Sequence, residues 1–381
     1  MVSPERGIDL VARALFAPLM DGPLPAGWRL LGWDTEQGLC LTLQHDRCTL
    51  LVELEERDDT RDCFARTARF NVCVRHMFDA GARLDDGERR FVERVVELVR
   101  RREAHIPTAE RPETARPSAV REIAVERALM PEGPGHYYFN PYVGCMIGCA
   151  FCYVQERADF SRRLEALPRL EWGRYVDVKV NAAEVLRREV KQHPPGIVRM
   201  SPILTDPYQP IERRYRITRQ ALEVFLDAGF APVILTRGAR VVEDLELLRR
   251  FPAAAVGFSI PTDDDSVRVA FEPGADPVEE RLEALAACHA AGLRTFAVIQ
   301  PVLPMNVDRL VQRLAPIVRA VRVDCMQDVA RHRHLYEAAG MLHALEPAFF
   351  EATSAALREG FARHRVTMDE MDDLGALMGR A

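Results

Sequence analysis

Hydrophobic residues follow two alternating patterns from about residue 120 onward. Short, continuous apolar runs predict buried strands, and the stretches between them, with an apolar residue every three or four positions, predict amphipathic helices. Six strands are predicted: His136–Phe139, Val198–Leu204, Pro232–Thr236, Ala255–Ile260, Thr295–Gln300 and Ala320–Asp324. The helices predicted between them are Ala182–Gln192, Thr218–Ala228, Val242–Arg250, Val278–Ala291 and Val307–Arg319.

This alternation of strands and helices indicates a parallel sheet and an α/β fold. Six units are too few for a closed eight-stranded barrel, so we predict an open, partial (β/α)6 TIM-like barrel over residues 120–330. In barrels of this kind, functional side chains lie at the carboxyl ends of the strands. Residues 331–381 are predicted to form a C-terminal helical extension, with helices at Pro347–Arg363 and Thr367–Gly379.

Residues 1–104 have a different pattern, which predicts a small N-terminal α+β domain. Two helices, Pro4–Ala17 and Asp85–Glu103, are predicted on either side of three strands, Trp28–Trp33, Gly38–Gln44 and Thr49–Glu55. Residues 105–119 are rich in Pro, Glu, Arg and Thr, and we expect them to form a linker. The sequence leaves open whether the N-terminal unit recognises a peptide or nucleic acid, or only covers the barrel mouth.

Three cysteines, Cys145, Cys149 and Cys152, form a Cys-x3-Cys-x2-Cys run just after the first predicted barrel strand. Thiolates are the usual protein ligands of a [4Fe–4S] cluster, and three of them leave one iron open for a substrate or cofactor. A structural zinc ion would require a fourth ligand. Zinc binding and simple burial of the thiols are the alternatives.

Composition narrows the possible environments of the protein. A net charge of −6 gives no overall attraction to nucleic acid. Nine irregularly spaced cysteines do not resemble a disulfide framework. Since neither a signal peptide nor a long apolar run is visible, we expect a cytoplasmic protein with no membrane partner.

The cluster loop, with Phe151 before its third cysteine, resembles that of the radical S-adenosylmethionine (SAM) superfamily. Further segments resemble its spore photoproduct lyase-like branch, in the same order and over residues 136–305. They are Cys152-Tyr153-Val154-Gln155, Thr205-Asp206-Pro207-Tyr208-Gln209-Pro210-Ile211-Glu212, Leu235-Thr236-Arg237, Phe258-Ser259-Ile260, Phe271-Glu272-Pro273-Gly274 and Glu280-Arg281-Leu282-Glu283. The resemblance implies a [4Fe–4S] cluster on the three cysteines, with SAM chelated at the open iron. The N-terminal unit lies outside this resemblance.

The resemblance also implies roles for residues near the strand ends. Thr205 and Asp206 would accept hydrogen bonds from the amino group of SAM, although an Asp-Pro pair also starts ordinary turns. Arg237 would bind the SAM carboxylate where the family has a lysine, unless it is a solvated loop residue. The full set of implied SAM-binding residues is Phe151, Tyr153, Thr205, Asp206, Arg237, Ser259 and Gln300.

Tyr153 and Cys325 are the candidate catalytic residues. Cys325 follows the sixth predicted strand, where its thiol could donate a hydrogen atom, but it could also be a buried packing residue. In the lyase, a cysteine three residues before the Asp of the second-strand segment returns a hydrogen atom to the product radical; here Ile203 occupies that position. Isoleucine has no S–H bond, which disfavours photoproduct repair.

The leading hypothesis is therefore a radical SAM enzyme that abstracts a hydrogen atom from an unidentified small molecule, peptide or nucleic acid. Its electron donor would be a protein such as flavodoxin or ferredoxin. Two alternatives stay open: a DNA photoproduct lyase-type repair enzyme, and a non-catalytic metal-binding or sensing protein.

Overall fold

The computed structural model describes most of the chain between residues 7 and 368. The residues left out within this range are 21, 36–37, 46–47, 78–81, 107–118, 169 and 202–203. Most of the predicted linker, Ile203 and residues 369–381 therefore lie outside the described residues.

The N-terminal part is an antiparallel five-stranded sheet with two long helices. Its elements are α1 (Gly7–Met20), β1 (Arg29–Asp34), β2 (Leu39–His45), β3 (Cys48–Glu56), β4 (Ala65–Arg66), β5 (Phe70–Met77) and α2 (Asp86–Arg102). The strand order is β1-β2-β3-β5-β4. Asp85 begins α2 with a capping box, since its side chain accepts from the Glu88 N–H (2.7 Å) and its own N–H donates to the Glu88 side chain (2.9 Å).

Strand alternation gives the N-terminal sheet two unlike faces. Its inner face is apolar. Residues of this face such as Leu41, Leu50 and Val52 form one hydrophobic core together with α1 and α2. We call the opposite side the outer face; alternation places Thr42, Leu51, Glu53, Cys73 and Arg75 on it.

The rest of the described chain alternates strands and helices. Its first elements are β6 (Ala119–Ile123), β7 (Met130–Gly133), β8 (His136–Tyr138), β9 (Tyr142–Val143), α3 (Val154–Leu164), β10 (Tyr175–Lys179), α4 (Ala182–Glu189), β11 (Ile197–Met200), α5 (Glu212–Tyr215), α6 (Ile217–Asp227) and β12 (Ala231–Thr236). They are followed by α7 (Leu245–Leu248), β13 (Ala255–Ser259), α8 (Asp265–Phe271), α9 (Val278–Ala290), β14 (Arg294–Ile299), α10 (Val307–Leu314), β15 (Ala320–Val323), α11 (Val329–Ala338), α12 (Pro347–Arg363) and β16 (Thr367–Met368). Short 3-10 helices cover Glu103–His105, Ala239–Asp244 and Leu342–Leu345.

The six predicted strands are present as β8, β11, β12, β13, β14 and β15, side by side and parallel. They belong to an eight-stranded sheet in which β16 adds a parallel strand at one edge and β7 an antiparallel strand at the other. In the described residues the two edge strands do not pair with each other, so the sheet is open. The predicted α/β fold class is confirmed. A smaller sheet has the order β6-β10-β9.

Three predicted helices differ from the structure. Thr367 and Met368 form β16 instead of starting a helix, because Arg365 adopts a left-handed conformation (φ 58°) and the chain then pairs with β15. The predicted helix Val307–Arg319 ends at Leu314, because Pro316 has no backbone N–H with which to continue the helical hydrogen bonds. The predicted helix Val242–Arg250 is a 3-10 turn followed by the short α7.

Helix α3 connects the two main parts of the molecule. It belongs to the second part in sequence, but its Phe160 and Leu164 are buried in the hydrophobic core of the N-terminal sheet. The Phe160 ring contacts Phe70 edge-on, with centroids 6.0 Å apart. None of the described helices is long and apolar enough to cross a lipid bilayer.

Candidate cofactor site

The three cysteines of the predicted cluster loop lie between β9 and α3. Cys145 and Cys149 are buried and Cys152 is partly buried, with no disulfide at any of them. Burial raises the pKa of all three thiols, that of Cys145 to about 12. Among the described residues, no three His, Cys, Asp or Glu side chains gather around a single metal-ion position. A cubane cluster does not require this, because each cysteine binds a different iron.

Backbone N–H groups point at two of the cysteine sulfurs. Although burial raises the pKa of Cys145 overall, the N–H groups of Ile147 and Asp206 act in the opposite direction. The N–H groups at the start of α3 do the same for Cys152. Such bonds favour the thiolate form, which is the form that binds iron, and they tune cluster potentials.

Two buried side chains fix the start of the cluster loop to the segment after β11. Thr205 Oγ1 donates to the Gly144 carbonyl (2.7 Å), and Gln209 Nε2 donates to the same oxygen (3.1 Å). Gln209 Oε1 in turn accepts from the Met146 N–H (2.8 Å). Gly144 itself has a φ of +87°, which favours glycine.

Asp206 is buried between the ends of β11 and β12. Its carboxylate accepts from the N–H groups of Tyr208 (2.9 Å) and Arg237 (2.7 Å), and from the Thr236 hydroxyl. Burial raises the pKa of this carboxyl despite these bonds. Neither Asp206 nor Thr205 lines the cavity described below, so their contact with SAM stays a prediction.

Behind the cluster loop lies a buried charge network centred on Glu272. Its carboxylate accepts from Arg237 Nε and from Arg281 Nη1 (2.9 Å). Arg281 also donates to the Ser259 carbonyl (2.8 Å). Burial raises the pKa of Glu272, but the two arginines together lower it by more, so the net shift of the pKa is downward. The network fixes Arg237 at the end of β12.

A cavity of about 220 Å³ opens at the carboxyl ends of the parallel strands. We call it the cofactor cavity. Five consecutive strands, β11 to β15, contribute a polar residue at or just after their ends: Ser201, Arg237, Ser259, Gln300 and Cys325. The predicted site residues that line it are Cys149, Phe151, Cys152, Tyr153, Arg237, Ser259, Gln300 and Cys325.

Ser259 is the most informative of these residues. Its side-chain oxygen is buried and has no hydrogen-bond partner among the described residues. Since buried polar groups in proteins are nearly always hydrogen-bonded, an orphan hydroxyl on a cavity wall indicates a missing ligand. Nearby, Arg237 Cζ lies 5.9 Å from the centre of the Phe151 ring, so a cation and an aromatic face border the same space.

The two candidate catalytic residues lie on the open side of the cofactor cavity. Tyr153 is 50% exposed, and Cys325 is exposed, with its backbone N–H donating to the Asp324 side chain (2.8 Å). Gln300 Nε2 donates to the same aspartate (3.2 Å). Cys325 is therefore not the buried packing residue of the alternative interpretation, and its thiol lies at the cavity.

Sequence reasoning missed Arg199 and Ser201, which line the cavity from β11. Arg199 Nε donates a hydrogen bond to the Glu132 carboxylate of β7 (3.2 Å). The sequence could have indicated Arg199, because it is the one charged residue in the otherwise apolar strand Ile197–Met200.

The cavity residues fit a [4Fe–4S] cluster with SAM. Two of the predicted cluster ligands, Cys149 and Cys152, line the same space as the Arg237 cation, the orphan Ser259 hydroxyl and the Phe151 ring. A zwitterionic ligand that carries an adenine ring can engage all three kinds of group.

Comparison with known proteins agrees with this chemistry. Residues 139–314 match the family model of the Radical SAM superfamily. An uncharacterized protein of Methanocaldococcus jannaschii is 28% identical over 192 residues, which are 49% of this chain and 70% of the relative. An uncharacterized protein of Mycobacterium tuberculosis is 30% identical over 198 residues, 50% of this chain and 55% of the relative. A radical SAM Nalpha-GlyT isomerase of Pseudomonas phage M6 is 28% identical over 47% of this chain and 36% of its own length.

Solved structures show more distant similarity. Spore photoproduct lyase complexed with dinucleoside spore photoproduct has 17% identity and a TM-score of 0.44, over 61% of this chain and 75% of that one. Streptococcus suis SuiB bound to precursor peptide SuiA has 12% identity and a TM-score of 0.34, over 68% of this chain and 52% of that one.

Proposed function

We propose that this protein is a radical SAM enzyme that binds a [4Fe–4S] cluster and cleaves SAM reductively, which the match of residues 139–314 to the Radical SAM superfamily model supports. Cys145, Cys149 and Cys152 are the proposed cluster ligands. The six parallel units would form the partial (β/α)6 TIM-like barrel that carries them. The observation that carries the proposal is the cofactor cavity, where two of these cysteines lie beside Arg237 and the orphan hydroxyl of Ser259.

When bound, the cluster and SAM would supply the radical chemistry, namely reductive cleavage of SAM and removal of a hydrogen atom from a substrate C–H bond. The side chains of the protein would bind SAM and orient it. Arg237, held by Glu272, would bind the SAM carboxylate, and Ser259 Oγ would hydrogen-bond SAM. Phe151 would contact the adenine, with Gln300 near the same end. Thr205 would act mainly by fixing the cluster loop, and Asp206 by fixing the backbone at Arg237.

Tyr153 and Cys325 would face the substrate, because they lie on the open side of the cofactor cavity. The Cys325 thiol could return a hydrogen atom to a substrate radical. Repair of DNA photoproducts is the weaker candidate, since Ile203 replaces the hydrogen-donating cysteine of that reaction. An electron donor such as flavodoxin or ferredoxin in a reducing cytoplasm would keep the cluster active.

Anaerobic reconstitution tests the proposal. We expect about four irons per chain, and 5′-deoxyadenosine, measured by liquid chromatography and mass spectrometry, after addition of SAM and dithionite. Cys149→Ala should abolish 5′-deoxyadenosine formation. Cys48→Ala should not, because Cys48 lies in β3 and does not line the cofactor cavity. Equal product from wild type and Cys149→Ala would contradict the proposal, and one zinc per chain would favour the metal-binding alternative.

A further inference from the structure

A second cavity, of about 280 Å³, lies between the outer face of the N-terminal sheet and the eight-stranded sheet. Thr42, Glu53 and Arg75 line it from the N-terminal side. Tyr153 and Arg199 line both this cavity and the cofactor cavity, so the two spaces adjoin. The N-terminal sheet therefore contributes a polar wall close to the proposed site of radical formation.

An open groove of about 1050 Å³ continues from the second cavity along β5. Glu53, Arg75, Met77 and Arg157 line both the groove and the second cavity. Groove, second cavity and cofactor cavity thus form a row that begins at the edge of the N-terminal sheet. An elongated path of this kind suits an extended chain better than a compact small molecule.

The groove lies at a strand edge that is paired over only part of its length. β4 pairs with β5 at Asn71 and Val72, and no strand of the described residues lies along Cys73–Met77 on that side. The Val72 carbonyl accepts from the Phe64 N–H (3.0 Å) on this edge. Because backbone groups alternate along a strand, those of Val74 point the same way. Such an edge binds an extended peptide as an added strand.

Charges along the path disfavour a nucleic acid. Arg75 makes a two-bond ion pair with Glu53 (2.6 and 2.7 Å), and Arg199 pairs with Glu132. A phosphate backbone is bound by arginines and lysines in excess, but the described lining of the second cavity and the groove has four arginines against five carboxylates. The backbone of a polypeptide is neutral, so binding it requires no excess of arginines and lysines.

We propose that the edge of β5 binds an extended polypeptide segment as an additional strand, and that the row of cavities leads one residue of that segment to the cofactor cavity. This inference rests on the proposed function, since it names the substrate class of the same site. The N-terminal sheet would then be a peptide-recognition module instead of a simple cover.

Random linear 12-residue peptides displayed on phage provide the probe. Peptides would be selected on the anaerobically reconstituted, SAM-loaded full chain, then synthesised and measured by fluorescence anisotropy. Val74→Pro removes the edge N–H but leaves the pairing with β3, because the Val74 N–H points to the free edge; Val74→Ala is the matched control. We expect the selected peptides to bind Val74→Pro at least fivefold more weakly, and Val74→Ala within twofold of wild type.

The failure of this inference is distinguishable from failure of the proposed function. Val74→Pro should still form 5′-deoxyadenosine from SAM and dithionite, which also shows that the variant is folded. The inference is wrong if no peptide is enriched, if enriched peptides bind Val74→Pro as tightly as wild type, or if a 15-residue oligothymidine binds more tightly than the peptides and loses affinity in the same variant.

Discussion

Glu272 offers the sharpest test of the charge network behind the cofactor cavity. The Glu272 and Arg281 side chains are completely buried, and the Arg237 side chain is only 11% exposed. In Glu272→Gln, the amide oxygen can still accept from one arginine, but the NH₂ group faces the other. Two guanidiniums would then lie buried without a carboxylate.

The expected loss of stability is large because solvent does not screen this pair. Removing one partner of a buried ion pair typically costs about 3–5 kcal/mol. Glutamine retains one hydrogen bond, so we expect the lower end, about 3 kcal/mol. With a urea m-value of about 3 kcal/mol/M, the unfolding midpoint should fall by about 1 M.

Urea unfolding followed by circular dichroism measures this change, and Glu279→Gln is the matched control. Glu279 pairs with Arg313 at 2.6 Å, but the two side chains are 59% and 43% exposed. The control should therefore lose less than about 1 kcal/mol. Equal midpoints for Glu272→Gln and wild type would refute the network's importance for stability.

The same network predicts a pH dependence with a definite sign. The pKa of Glu272 is lower in the folded than in the unfolded state. Its contribution to stability is therefore present above the ordinary glutamate pKa of 4.5 and is lost as the pH falls through the lower folded value. Glu272→Gln should lose less stability on acidification than wild type does.

Two further substitutions test the cavity and the loop. Ser259→Ala should weaken SAM binding about fivefold, equivalent to about 1 kcal/mol for a lost hydrogen bond, in equilibrium dialysis with reconstituted protein. Its melting temperature should not fall, because the hydroxyl has no partner in the protein; unchanged SAM affinity would contradict this role. In urea unfolding, Gly144→Ala should lower the free energy of unfolding by at least about 1 kcal/mol more than Gly135→Ala does. Both glycines have positive φ, but an added Cβ meets a backbone oxygen at 2.8 Å only at the former. Equal losses would refute the steric argument.

The strands of the large sheet could be predicted because each is a continuous apolar run flanked by polar residues. The missed strand β10 contains Asp177 and Lys179, which are both buried. Asp177 is neutralised by Arg121, whose Nε lies 2.9 Å from its carboxylate. Arg121 is remote in sequence, so a hydrophobicity pattern cannot reveal this pairing. β5 was also missed, although Phe70, Val72 and Val74 alternate with Asn71, Cys73 and Arg75 in the period-two pattern of a half-buried strand.

The sequence predicts which side chains reach the strand ends but not their orientation. Arg237, Ser259 and Cys325 line the cavity as the strand-end rule suggests. Thr205 and Asp206 also follow a strand, yet they turn toward the cluster loop and the neighbouring strand. The difference depends on partners such as Gly144 and Thr236, which only the three-dimensional structure brings into contact.

The position of α3 has a consequence for attempts to divide the protein. The helix begins two residues after Cys152, while Phe160 and Leu164 insert among the side chains of the N-terminal sheet. Excising the first hundred residues would transfer both side chains to water, at a cost of about 1.5–3 kcal/mol each. The proposed iron-binding segment thus depends for its folding on a portion of the chain that supplies none of its proposed ligands, and a destabilising change in either should destabilise both.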